Sequence, residues 1–420
     1  MLNNLLTKAN QNKKKIILHL VTLLVSFALL IVGNKLTFDK ETMFLGGYDD
    51  GASSATVTNI VSSDVEKHYI DGQYIGDDVY IIFECEITSG DRDGEIVTAV
   101  ESFTVHDTVK LKEVQEGDRV FIIEAVDGED DKYDWYLFEY DRTVPLWVLG
   151  LIFVVLILLF GRKKGINTLI SLSFTCAAVF LVFVPSVLSE KNIYFWAIIT
   201  CIYIIIMSLT INEGYNKKTL AAIIGCSCGV IVAGALTLTC SHFLKMSGIT
   251  GDDSINLKMN LDIDLNALIF AGIILGAVGA VKDVAVSISS SLKEIHEQVE
   301  KPTFSGLVKS GMNIGRDVMG TMADTLVLAY IGCELSATLI QIMYSSSLTT
   351  LLSREKIVAE LLQALVGSIG ILMTIPLTAV VSAMLYTGFK GRKKYDKYYI
   401  EPTNEPSLFE KTENTENVND

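Results

Sequence analysis

Pro145–Leu188 reads PLWVLGLIFVVLILLFGRKKGINTLISLSFTCAAVFLVFVPSVL. Two apolar blocks, about 145–160 and 166–188, flank the basic cluster Arg162, Lys163 and Lys164. Each approaches the ~20 residues that a helix needs to cross a bilayer, the first by starting a residue or two early. A short basic turn between two such blocks is the pattern of a helix pair that turns at the cytoplasmic face. Outward from this stretch the pattern repeats. Further apolar runs lie at about 193–211, 219–241, 266–288, 318–340 and 358–389, and Ile16–Val32 forms another near the N-terminus. Half of the 420 residues are hydrophobic, 20% are charged and the mean hydropathy is +0.41. These blocks exclude a purely soluble enzyme, a disordered chain and a disulfide scaffold.

The formal net charge of −15 is unevenly spread. Residues 37–143 hold 27 Asp/Glu against 8 Lys/Arg, whereas the rest of the chain is mildly basic. An acidic block argues against nucleic acid, which needs a basic footprint. The same block reads as β. Ala55–Ser62, Val79–Thr88, Glu95–His106, Arg119–Val126 and Trp135–Tyr140 are rich in Val, Ile, Thr and aromatics, and Gly/Asp turns such as Gly90-Asp91-Arg92-Asp93-Gly94 bound them. A small barrel or sandwich is expected.

Lysines 8, 13, 14 and 15 precede Ile16–Val32, and Gly33-Asn34-Lys35 after it is not a small-residue cleavage site, so a retained signal-anchor helix is expected. With the N-terminus inside, the segments 1–15, 161–165, 212–219, 282–316 and 390–397 are cytoplasmic and carry 19 Lys/Arg, against 5 in the short outside loops. That asymmetry favours eight spans in the cell membrane, both termini cytoplasmic and the β block outside. The expected organisation is a cytoplasmic segment and anchor helix over 1–36, an extracytoplasmic acidic β domain over 37–143, a seven-helix membrane domain over 144–390 and a disordered cytoplasmic tail over 391–420.

Six of the seven cysteines lie in or near apolar runs, where Cys behaves as a small hydrophobe. Cys226-Ser-Cys228, with His242 and Met246 downstream, lacks a second ligand pair at metal-site spacing, so neither a metal nor another cofactor is expected. The loop Asp127-Gly128-Glu129-Asp130-Asp131 misplaces its glycine for a calcium loop and reads as a solvated turn.

The chemistry concentrates in 266–331. Gly272 and Gly276 form a G-x-x-x-G pair extended by Ala280, with Gly279 beside it, a spacing that lets membrane helices approach closely. Lys282-Asp283 follows within the apolar run, and Asp283, Ser287, Ser291 and Glu294 share one helical face. Asn313, Asp317, Thr321 and Asp324 form a second polar stripe, flanked by Arg316 and Thr325. Charges at bilayer depth cost a few kcal/mol or more unless paired or facing water, which makes these residues functional candidates. Two readings stay open at this point. Pairs such as Lys282–Asp317 or Arg316–Asp283 clamp two helices, or the carboxylates serve an ion or a proton.

Ala271–Ile295 (AGIILGAVGAVKDVAVSISSSLKEI) and Ser310–Gly332 (SGMNIGRDVMGTMADTLVLAYIG) closely resemble the YibE/F-like family. Gly161-Arg162-Lys163-Lys164-Gly165 and Lys217-Lys218-Thr219 fit it as well. The resemblance covers most of 80–385 and is loose in the β block. It implies a multipass bacterial membrane protein with an extracytoplasmic N-terminal domain, for which transport is the usual assignment. The family's MGTMxNTL run carries Asn where this chain has Asp324, which shifts the weight to Asp283, Arg316 and Asp317.

A permease for an unidentified small solute or ion is the leading expectation, with Lys282, Asn313, Thr321 and Asp324 in support, Gly272, Gly276, Gly279, Gly315 and Gly320 as packing or hinge positions, and helix breaks around 276–291 and 311–320. A non-enzymatic assembly or sensor protein is the alternative. Its β domain would bind a ligand or partner, and candidate partners are the lipid bilayer, another membrane protein and a second copy of the chain. A two-aspartate intramembrane protease is the weakest reading, because Gly315-Arg316-Asp317 lacks the Gly-x-Gly-Asp pattern, so the chain is expected not to be an enzyme.

Overall fold

The computed structural model describes residues 2–37, 51–70, 73–105, 112–125 and 133–388. The chain divides into two compact units, Glu41–Ile166 and Met1–Lys40 with Asn167–Asp420. The acidic loop 127–131, the end of the third expected strand at His106 and the tail from 391 lie outside the described residues.

The first unit holds a closed barrel of β1 (Ser53–Ile70), β2 (Gln73–Ile87), β3 (Ile96–Val105), β4 (Arg119–Glu124) and β5 (Trp135–Tyr140) in the order β1-β2-β3-β5-β4. Closure comes from β4, which pairs antiparallel to β1 with Ser53 opposite Ile122. The one parallel pair sets Ala99 beside Trp135 on β3 and β5. Strand alternation turns every second residue inward, and Val57, Ile81, Phe83, Cys85, Ile87, Ala99, Val120 and Ile122 fill the interior. Among the described residues Glu101 is the one buried acid of the barrel, at 8% exposed. Its carboxylate accepts from the Val114 amide at 2.8 Å and the Tyr140 hydroxyl at 3.3 Å. Burial pushes the Glu101 carboxyl above its usual range, against the pull of these two donors. Burial likewise raises the Cys85 thiol to about 11, so it is inert at neutral pH.

The helices are α1 (Leu2–Thr37), α2 (Thr143–Ala178), α3 (Val184–Leu188), α4 (Ile193–Glu213), α5 (Lys217–Phe243), α6 (Asp252–Asn260), α7 (Leu265–Gln298), α8 (Phe304–Cys333), α9 (Leu335–Met343), α10 (Leu348–Leu352) and α11 (Glu355–Thr387). Side chains cap their starts. Asn192 accepts from the Phe195 amide, Asn216 from Thr219, Asp264 from Asn266 and Thr303 from Gly306. Helix α2 is interrupted at Arg162 (φ 48, ψ −126), within the basic cluster where the sequence places a turn. Among the described residues six helical stretches are long and apolar enough to cross a membrane, or seven if α8 and α9 form one span.

Two expectations need correction. The span expected at 318–340 begins instead at Phe304 and bends by 65° between Cys333 and Leu335. The breaks expected around 276–291 and 311–320 are absent, since α7 and α8 run unbroken through them. Mid-helix glycine weakens a helix by about 1 kcal/mol relative to alanine, which neighbouring apolar residues readily offset.

Candidate functional site

Helices α5, α7, α8 and α11 form the core of the helical unit, with α4 against α7. The tightest seam joins α5 to α11. Gly225 faces Thr378, and Gly229 faces Thr374 and the Gly370 carbonyl, so closely that a Cβ at either glycine would enter the threonine hydroxyl. The seam is tied at both ends. Lys217 donates to the Leu385 carbonyl at 3.1 Å. At the other end the Glu355 carboxylate accepts from the Ser247 amide at 2.6 Å, the Gly248 amide at 2.5 Å and the Ser247 hydroxyl at 2.7 Å.

Helix α8 lies antiparallel to α7, and two close approaches fix their register. Gly276 abuts the Tyr330 hydroxyl, and a Cβ at Gly311 would lie 3.0 Å from Leu292 Cδ1. Asp283 therefore stands level with Thr321, and Asp317 with Ser287. The two polar stripes read from the sequence thus lie at matching depth on neighbouring helices.

They do not pair with each other. The Lys282 amine turns into the bundle and donates to Ser208 Oγ on α4 at 3.1 Å. The expected Lys282–Asp317 and Arg316–Asp283 bridges are absent among the described residues. The Arg316 guanidinium reaches Asn313 Oδ1 at 3.4 Å, three residues back on its own helix. A lysine directed inward by a buried serine cannot also reach the outer stripe, which is the reason the first pair fails. Asp283, Asn313, Arg316, Asp317, Thr321 and Asp324 are all exposed on the single chain. The hydroxyls of Ser287, Thr321 and Thr325 bond carbonyls of their own helices, which leaves them as acceptors on the same face.

The glycines separate into two groups. Gly276 packs on Tyr330, and Gly315 packs on Ile375. Gly272, Gly279 and Gly320 meet nothing within 4 Å, so none of these three packs two helices of one chain together. Helices α7 and α8 run unbroken through all five.

Sequence reading missed several polar groups at the other end of α8. Tyr330 and Gln363 both approach Gly276, and Lys356 lies 3.7 Å from Glu334. A pocket of about 400 Å³ is lined by Tyr194, Ser241, His242, Lys245 and Asn266. Tyr194 comes from α4, Ser241, His242 and Lys245 from the end of α5 and the turn after it, and Asn266 from α7, so only the fold collects them. Among the described residues, no group of three or more His, Cys, Asp or Glu could hold a metal ion. What the α7–α8 arrangement offers is a line of carboxylates, one guanidinium and hydroxyl acceptors, suited to a hydrated ion or a small polar solute.

Residues 149–388 match the family model described as YibE/F-like protein. No curated protein and no solved structure matches the chain.

Proposed function

Taking as premise that the chain belongs to the YibE/F-like family of membrane proteins, we propose that it is a permease for a small solute or ion, with the polar face of α7 and α8 as its pathway. One observation carries this reading. Asp283 and Ser287 on α7 stand level with Thr321 and Asp317 on α8, and no ion pair joins any of these carboxylates to a basic side chain among the described residues. Intramembrane charges left unpaired within a chain mark ion and substrate routes or proton relays. Asp283, Arg316 and Asp317 are the central residues of the route. Lys282 supports it from the bundle side, through Ser208.

The topology that accompanies this reading has eight spans, both termini cytoplasmic and the barrel outside the cell membrane. The stretch Thr143–Leu188 is 46 residues long, more than twice what one span needs, and it is interrupted among its lysines and arginine. Counting it as two spans, and α8 with α9 as one, gives eight.

The test is flux in vesicles loaded with pH-, sodium-, potassium- and magnesium-sensitive dyes. Wild type is expected to pass one of these ions saturably. Asp317→Asn should abolish that flux while the folded yield stays unchanged. Full flux in the variant would overturn the pathway. A second reading, a non-enzymatic assembly or sensor protein, draws on the exposure of the same stripe. Under it, Asp317→Asn lowers helix association and yield instead of flux.

A further inference from the structure

Among the described residues nothing covers the polar face. From Arg316 to Cys333, α8 contains no buried residue, and neither α9 nor α10 contains one. Asp283, Arg316, Asp317 and Asp324 are all exposed. Lipid is a poor cover for Asp324, which lies deepest in the apolar run, because an ionised side chain facing hydrocarbon is costly. We propose that the cover is a second copy of the chain, docked face to face on α7 and α8 about a twofold axis.

Charge argues for this occupant. The face carries both signs, with Arg316 among three carboxylates. A twofold axis sets each patch against itself, so the Arg316 guanidinium of one protomer can meet the carboxylates of its partner. Shape argues the same way. Gly272, Gly279, Asp283 and Ser287 fall on one side of α7, and Gly320 lies on the α8 stripe. The three glycines have open space in front of them. Glycines turned inward, such as Gly225, Gly229, Gly311 and Gly315, are all filled by a neighbouring helix. Small residues at helical spacing let backbones of two membrane helices approach, and interhelical polar bonds then hold them. The permease reading enters only in what the covered face does: the route would run between the two protomers, each supplying one wall.

Two measurements test the interface without using flux. The first is the mass of the wild-type protein in phosphatidylethanolamine/phosphatidylglycerol nanodiscs, by native mass spectrometry. Twice the 46.1 kDa chain mass is expected. A single copy, or one copy bound to a different protein, would overturn the proposal. The second is thiol cross-linking in membranes, with exposed Cys176 and Cys333 changed to Ser. Gly320→Cys should cross-link to itself at least tenfold more than Ile231→Cys, a control on α5 that is 67% exposed. Equal yields at the two positions would refute the interface. Arg316→Glu should weaken the dimer at least tenfold, and Arg316→Lys should restore most of it. A dimer that passes none of the four ions refutes the ion route and keeps the interface, and a single copy that passes one does the reverse.

Discussion

Two glycine-bearing surfaces of the helical unit behave in opposite ways. On α5, Gly225 and Gly229 are pressed against Thr378 and Thr374 of α11, and the contact is tied at both ends. On α7, Gly272 and Gly279 occupy a similar small-residue stripe and touch nothing. The first surface is closed within one chain. The second is open and edged with charge. The difference teaches that glycine spacing alone says only that a close approach is allowed. What approaches is decided by a partner helix far away in sequence, or by no helix of the same chain.

The largest expected effect breaks the closed surface. Gly229→Ala places a Cβ on the Thr374 hydroxyl and 3.1 Å from the Gly370 carbonyl. The threonine side chain is short and stiff, so the helices must separate. Overpacking of this kind costs about 1–3 kcal/mol, occasionally more. Thermal melts in detergent should show a clear loss for Gly229→Ala, and Gly225→Ala should behave alike. Gly272→Ala and Gly279→Ala should lose nothing and gain up to about 1 kcal/mol from helix propensity, under conditions that keep the chain a single copy. The sharper form is a double-mutant cycle. Thr374→Ala removes the hydroxyl and leaves its Cβ 3.2 Å from the added carbon. The double variant should therefore be more stable than Gly229→Ala alone. Equal losses on the closed and open surfaces would erase the distinction between them.

A smaller effect comes from loosening one end of the same seam. Glu355 holds three donors from Ser247 and Gly248, beyond the end of α5. Hydrogen bonds to a charged group contribute about 1.5–3 kcal/mol, though exposure here reduces that. Glu355→Gln keeps the shape and removes the charge. Amide hydrogen exchange at Ser247 and Gly248 should quicken several-fold, with the middle of α5 unchanged. Protection that is the same in both proteins would show that the seam needs no clamp.

These contrasts also mark where the sequence is legible. Alternation in segments such as Val79–Thr88 gives the strands, because one face of each is filled by core and the other meets water. Barrel closure depends on β4 meeting β1 from more than sixty residues away, and alternation carries no such register. Apolar runs give most of the spanning helices, since length against bilayer thickness is a local property. The 65° bend at Cys333–Leu335 has Gly332 just before it, but a lone glycine inside an apolar run does not by itself mark a bend. Asp283, Ser287, Asn313, Asp317 and Thr321 could be placed on faces by counting. That Lys282 turns inward to Ser208 could not, because its partner lies on another helix. The α5–α11 seam was hidden for the same reason. Gly225 and Gly229 are visible as a pair, but Thr374 and Thr378 become their partners only in the fold.

The smallest expected effect sets the open carboxylates against a closed one. Glu101 in the barrel is buried like a core residue yet satisfied by Val114 and Tyr140, whereas Asp317 is exposed and makes no ion pair among the described residues. Burial raises the folded-state pKa of Glu101 above its ordinary 4.5. The folded barrel therefore binds that proton more readily than the unfolded chain. Its contribution to stability is fully present below about pH 4.5 and is lost as pH rises through the folded value. Glu101→Gln keeps an acceptor for the Val114 amide and removes the titration. Cys85 reports barrel opening, because it is fully buried and its thiol stays protonated at neutral pH. Alkylation of Cys85, followed by mass spectrometry on the full chain, gives the opening rate of each protein. Taking the ratio of variant to wild type at each pH cancels the reagent's own pH dependence. That ratio should rise as pH falls from 7 to 5, because only the wild type gains from protonation. A ratio independent of pH would mean that Glu101 is as solvated as the acids on the barrel's outer face, and that the barrel is closed only to apolar side chains.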